Sequence, residues 1–161
     1  MSLHADDRSA AFGDGGEAAV LAEFLGYQRE AIIRKVVDLP DAVAHRAGVP
    51  SGTSLAWLIK HLTAAERLWF RGATIEDWEA LSVLDANETV ADLVADYRRA
   101  TQESDTIIAG WADLGQVIDE PADGRPPATA RWIMQHLISE TARHAGHADI
   151  LREQIDGEVG R

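Results

Sequence analysis

Apolar positions recur every three or four residues in four stretches of the chain, and each stretch has a recognisable start or stop. From Glu17 onward Leu21, Leu25, Gln28, Ile32, Val36 and Leu39 form one stripe, the face that an amphipathic helix turns to a core. Pro40 ends it, because proline disfavours helical backbone at the residue before it. A linker from Asp41 to Gly52 contains Gly48, Pro50 and Gly52. Thr53 or Ser54 then offers a side-chain oxygen to cap a second helix that runs to about Phe70. Its apolar face is Leu55, Leu58, Ile59, Leu62, Ala65, Trp69 and Phe70.

The connection from Arg71 to Glu88 is long for a helix pair, and Trp78 among Glu76, Asp77 and Glu79 suggests a short helical turn within it. Thr89 followed by Asp92 fits a capping box, and Val90, Leu93, Val94, Tyr97, Ile107, Ile108 and Trp111 mark a third helix ending near Gly115. Three prolines and Gly124 make Glu120 to Pro127 an irregular crossing. A fourth helix starts near Thr129, with the stripe Ile133, Leu137, Glu140, His144, Ala148, Leu151 and Ile155, and Gly157 closes it. No strand pattern competes. The reading is an all-α four-helix bundle over residues 17–157, preceded by a flexible lead-in, 1–16, and followed by a short tail, 158–161.

Composition narrows what such a bundle does. The 161 residues hold 15 Lys and Arg against 27 Asp and Glu, a net charge of −12. No basic stripe offsets this acidity, so nucleic acid and anionic membrane surfaces are not expected partners. There is no Cys, which removes disulfides, thiolate metal sites and a protein-borne sulfur nucleophile. No run is long and apolar enough for a membrane span, and the first residues lack the apolar core of a signal peptide, so a cytoplasmic protein is expected.

The chemistry concentrates on the fourth stripe. At about 100° per residue, Glu140, His144 and His147 fall within about 60° of one another, with His136 extending the arc to about 80°. Leu137, Ala148 and Leu151 share that arc, so the polar groups point into the bundle, where they need partners. A carboxylate four residues before an imidazole can hold one cation from successive turns. His144 with His147 is a second two-ligand combination. His61, in W-L-I-K-H-L-T-A-A-E, is the single His on the first three helices and supplies a third donor. Three such donors with one position open is the pattern of a catalytic divalent site, zinc or a neighbour such as nickel.

Ordinary structural roles compete at each position. His61 alone reads as a hydrogen-bonded core residue, and Glu140 with His144 as a helix-face pair. His4 and His45 read as exposed, and His136 as packing or an outer hydrogen-bond partner. The five Trp and two Tyr are expected mostly in the core, with Trp57 and Trp69 as candidate pocket walls. Glu66 and Arg67 fit solvated or interhelical ion pairs, and Asp149 with Arg152 a helix-surface pair.

Two segments, S-G-T-S-L-A-W-L-I-K-H-L-T-A-A-E-R-L-W-F and H-L-I-S-E-T-A-R-H-A-G-H-A-D-I-L-R-E-Q-I-D-G, resemble the signature helices of the DinB/YfiT-like superfamily. The resemblance is strongest to its actinobacterial branch, related to mycothiol-dependent enzymes. It implies an up-down-down-up bundle, often dimeric, with a divalent metal held by one His of the second helix and two residues of the fourth. The usual pattern there is His-x-x-x-His, and Glu140 stands where the first His would. The maleylpyruvate isomerase branch that the chain resembles uses Glu-x-x-x-His. The resemblance therefore favours His61, Glu140 and His144, while His61, His144 and His147 remain an alternative with Glu140 as general base or outer partner.

The implied function is a thiol S-transferase using mycothiol or a similar low-molecular-weight thiol, activated as a metal-bound thiolate, on small electrophiles. Two alternatives share the residues. One is a hydrolase that uses metal-bound water, and the other is a non-catalytic helical bundle that binds a ligand or partner.

Overall fold

The computed structural model describes residues 15–72, 76, 80–118 and 126–159. His4 and most of the lead-in, Trp78, the bulk of the proline-rich crossing and the end of the tail lie outside the described residues. The helices are α1 (Glu17–Arg34), α2 (Asp41–Ala44), α3 (Leu55–Arg71), α4 (Val90–Ala109) and α5 (Ala130–Asp156). Glu76 and residues 80–81 are also helical, in line with the turn expected between α3 and α4. Among the described residues the only β-type pairing is an isolated bridge between Val117 and Thr129, so the all-α class holds.

Helix starts follow the capping chemistry. Ser54, rather than Thr53, accepts from the Trp57 N–H at 3.1 Å. Thr89 and Asp92 form the reciprocal capping box. Thr129 accepts from Trp132 N–H at 3.2 Å, and the next two orphan donors of α5, Ala130 and Arg131, reach the carbonyls of Gln116 and Leu114 at 3.0 and 2.9 Å. At the far end Gly157 adopts φ 81°, left-handed backbone that a Cβ would strain.

Three boundaries differ from the stripe pattern. Helix α1 stops at Arg34, not at Pro40, and beyond it the Lys35 carbonyl accepts from the Arg152 guanidinium at 3.1 Å. The Leu39 N–H turns back to Val36 instead, and residues 35–38 form tight turns. The linker carries α2, whose Asp41 accepts from the Val90 N–H at 2.7 Å and so ties the linker to the start of α4. Helix α4 ends at Ala109 with Gly110 as its cap, short of Gly115, because residues 114–118 leave it to pair with the start of α5.

Ion pairs between helices reveal their directions. Arg67–Asp96 and Arg71–Glu103 advance together along α3 and α4, so these two run parallel. Glu17–Arg131, Lys35–Asp149 and Asp38–Arg152 advance together along α1 and α5. On α3 and α5 the order reverses: His61 meets Glu140 while Trp69 meets Trp132. The result is up-down-down-up. Parallel neighbours α3 and α4 need a connection that travels back along the bundle, about 26 Å for a helix of α3's length, which accounts for the long loop between them. Exposed members of this set contribute little stability individually. Asp149 and Arg152 do not pair with each other, contrary to the sequence reading. Arg152 is buried and clamps Asp38, Asp156 and Glu158, while Asp149 takes Lys35.

The core forms two apolar clusters. One gathers Ile32, Leu58, Ile59, Leu62, Tyr97, Ala148 and their neighbours. The other gathers Leu21, Leu25, Phe70, Ile133, Met134 and Leu137. Glu66, only 1% exposed, accepts two bonds from Arg29 at 2.8 and 2.7 Å, the interhelical member of the alternatives the sequence left for it. The remaining Arg29 nitrogen reaches Asp105 at 2.7 Å, which joins α1, α3 and α4. The Tyr97 phenol beside this pair is pushed well above its ordinary value by burial and by the Glu66 charge, so it stays neutral.

Removing one partner of a buried pair strands the other charge. Arg29→Met is expected to destabilise the fold by about 3–5 kcal/mol. The double variant Arg29→Met, Glu66→Leu should recover most of that loss in urea denaturation. Equal losses for the two variants would refute the account.

Candidate metal centre

Two rows of residues spaced four apart face each other where α3 and α5 cross. On α3 the row is Trp57, His61, Ala65 and Trp69; on α5 it is Trp132, His136, Glu140 and His144. Four-residue spacing keeps each row on one face of its helix. Antiparallel packing then sets His61 against Glu140 and His144, and Trp69 against Trp132 and His136.

His61 Nε2 lies 3.2 Å from Glu140 Oε1, and His144 Nε2 lies 3.0 Å from the same oxygen. Two imidazole nitrogens from different helices thus converge on one carboxylate oxygen. The ligand atoms of His61, Glu140 and His144 all fall within 4.8 Å of one another. The Trp57 indole stacks on the His61 ring, with centroids 4.9 Å apart and planes 22° apart, which fixes the ring's plane. The His61 and His144 rings meet edge to face at 4.6 Å.

Burial opposes charge on Glu140, but the hydrogen bond from His61 and the charge and hydrogen bond of His144 overcome it and hold the carboxyl below its ordinary value. His144 is pushed below its ordinary value by burial and then by His61, against the pull of Glu140. The carboxylate is therefore ionised and the His144 imidazole neutral near pH 7, the protonation states a metal requires of such donors. Donor atoms bound to one zinc-like ion sit about 3–3.5 Å apart at tetrahedral angles, and the two spacings to Glu140 Oε1 lie in that range. The three residues can hold a divalent cation, with two nitrogens and one oxygen as donors.

His147 stands apart from this cluster. It is exposed, and its Nδ1 lies 3.3 Å from the Nδ1 of His144, on the side away from Glu140. The helical arc was too wide to separate it: three residues beyond His144, the α5 surface has already turned to solvent. His136 packs against Trp132, nearly coplanar at 4.9 Å, and against Trp69 at 4.6 Å. Burial lowers its pKa, with Glu140 opposing and Arg143 assisting.

Other residues depart from the sequence reading. His45 is half-buried and its Nε2 lies 2.7 Å from the Glu88 carbonyl, so it is not a free linker residue. Of the described Trp and Tyr, Tyr97 alone is fully buried, and Trp132 is 48% exposed. The sequence reading missed Trp132 as part of a site. Its place at the head of the Trp132, His136, Glu140, His144 row was the available signal.

A family model described as mycothiol-S-transferase matches residues 20–157. A solved structure, the conserved protein of locus from Enterococcus faecalis, is similar in fold with a TM-score of 0.66. It is 18% identical, and the likeness covers 88% of this chain and 98% of that one. A search of curated proteins returned no match. Among the described residues no helix is long and apolar enough to cross a membrane.

Acidification has a signed effect on the metal-free chain. Folded His136 and His144 titrate below the ordinary 6.5 that they regain on unfolding. The unfolded chain then binds more protons, so stability present above that value is lost as pH falls through it. Glu140 adds a second loss below 4.5. Urea midpoints should drop between about pH 7.5 and pH 5.5, and His136→Phe should flatten the drop. A midpoint that rises on acidification would contradict these environments.

Proposed function

This chain belongs to the mycothiol-S-transferase family, and we propose that it is a divalent-metal-dependent enzyme joining a mycothiol-type thiol to small electrophiles. The observation that carries this is the convergence of His61 and His144 on one oxygen of Glu140. We assign the metal to those three residues, and the donor set suits zinc or nickel. The ion, when bound, would act as a Lewis acid that lowers the pKa of a thiol. A chain without Cys has no thiol of its own to use.

The remaining roles belong to side chains. Glu140 supplies the negative charge that offsets part of a divalent cation, and two neutral imidazoles leave the site with net positive charge to favour a thiolate. Trp57 holds the His61 ring in plane and excludes water from one side. His147 orients His144 through the paired Nδ1 atoms, an outer partner rather than a ligand. In the reaction the thiol S–H bond breaks and a sulfur–carbon bond forms at the electrophilic carbon, whose double-bond electron pair moves to the neighbouring atom and takes up the thiol proton, or whose leaving group departs with its bonding pair. The substrate is a small molecule, and we place the protein in the cytoplasm as a homodimer, following the resemblance.

Elemental analysis of untagged protein tests the assignment. About one metal per chain is expected, with loss in His61→Ala and in Glu140→Ala. Free metal at about 100 times its Kd should stabilise the wild type by about 2.7 kcal/mol and leave Glu140→Ala unmoved. His147→Ala should retain the stoichiometry while affinity weakens about tenfold. Complete metal loss in His147→Ala, with full retention in Glu140→Ala, would replace Glu140 in the triad. Turnover of an electrophilic ester at equal rates with and without thiol would replace the transferase with a hydrolase.

A further inference from the structure

A cavity of about 510 Å³ opens beside the aromatic end of the α3–α5 seam, lined by Trp69, Pro126, Pro127, Ala128, Thr129 and Trp132. That volume lies within the usual range for small-molecule sites. Trp69 and Trp132 pack with centroids 5.1 Å apart, and His136 backs both rings. The cavity's two Trp lie on the same two helix rows as the metal donors. Trp69 lies eight residues from His61, and Trp132 eight from Glu140, a rise of about 12 Å along each helix. The small side chain of Ala65 stands between them on the α3 row.

The wall chemistry selects the occupant. Pro126 and Pro127 have no N–H to offer. The Thr129 hydroxyl is engaged by the Trp132 N–H. The nearby Arg131 guanidinium is engaged by Glu17 at 2.6 and 2.9 Å. The described lining is chiefly indole ring and aliphatic proline surface. This lining is predominantly apolar, which suits a ring better than a hydroxyl-rich sugar. A flat, neutral ring gains from stacking on indole and from apolar burial. Two further cavities among the described residues lack this combination: one lies between the turns after α1 and α4, along Val37, Val94 and Arg98, and the other is a cleft near Gly48 and Leu151.

We propose that the Trp69–Trp132 cavity is a binding subsite for a planar, neutral aromatic group. On the transferase reading, on which this assignment rests, that group belongs to the electrophile and the thiol occupies the space nearer His61 and Glu140. None of the three donors lines the cavity, so the reacting carbon and the aromatic ring of a preferred substrate are separated by a spacer of several bonds.

The subsite can be tested without turnover by titrating metal-free protein with 2-naphthol and following tryptophan fluorescence and heat. Saturable binding is expected. Trp132→Ala should weaken it roughly tenfold and Trp132→Phe by no more than about threefold, with metal content unchanged in both. Undiminished naphthol binding in Trp132→Ala would overturn the subsite whatever reaction the protein performs. So would a monomer–dimer equilibrium abolished by Trp132→Ala in a protein that binds no naphthol, since a second copy would then cover this face. On loaded enzyme with mycothiol, the thiol S–H adds across the double bond of a maleimide, with sulfur to one carbon and the proton to the other. The kcat/KM ratio of N-(4-phenylbutyl)maleimide to N-butylmaleimide should fall about tenfold in Trp132→Ala. Absent turnover with Trp132-dependent naphthol binding would support the aromatic subsite and count against the S-transferase reading alone.

Discussion

A carboxylate half-buried in a helix seam is tolerable only when it is met by donors, and the meeting of Glu140 with two imidazoles is the constraint around which this bundle is arranged. One donor comes from its own helix and the other from α3, 79 residues away in sequence. The second can arrive only if α3 and α5 run antiparallel in one register. Four-residue rows on both helices set that register, with bulky rings at either end and Ala65 where the helices approach. The seam is thus a packing solution and a donor array at once.

The outer helices hold the seam closed by other means. Arg29 links α1 to Glu66 on α3 and to Asp105 on α4, at the level where the two apolar clusters separate. Arg152 binds the end of α5 to the turns after α1 and takes the Lys35 carbonyl there. These buried guanidiniums add less to net stability than to uniqueness, because a slipped register would leave them without partners. The same pairs record the chain's direction, from which the up-down-down-up order is read.

Much of this was legible in the sequence because its causes are local. Ser54, Thr89, Thr129 and Gly157 announce helix ends through short-range bonding, and the stripes announce which faces are covered. The likeness to a known superfamily, carried by residues 51–70 and 136–157, supplied the topology and the preference for Glu140. Where the reading failed, the cause was tertiary. Nothing near Lys35 shows that Arg152 will claim its carbonyl, and nothing near Asp149 shows that Lys35 will draw it from Arg152. His147, the alternative to Glu140, shares the arc by angle and is exposed, because burial depends on which helices stand opposite and not on angle alone. Trp132 looked like core by type, while the loop that pairs with residues 114–118 leaves it at the rim.

The donors and the cavity wall are carried by different kinds of chain. His61, Glu140 and His144 sit in the middles of long helices, where a backbone shift would break many hydrogen bonds at once. Pro126, Pro127 and Ala128 lie outside any helix, just before α5, where sequence changes disturb the helices least. On the proposed transferase reading, a lineage built on this plan can exchange one acceptor molecule for another by remodelling a short surface segment while its reactive chemistry stays fixed. Diversification of substrates and preservation of mechanism then proceed as nearly independent evolutionary events.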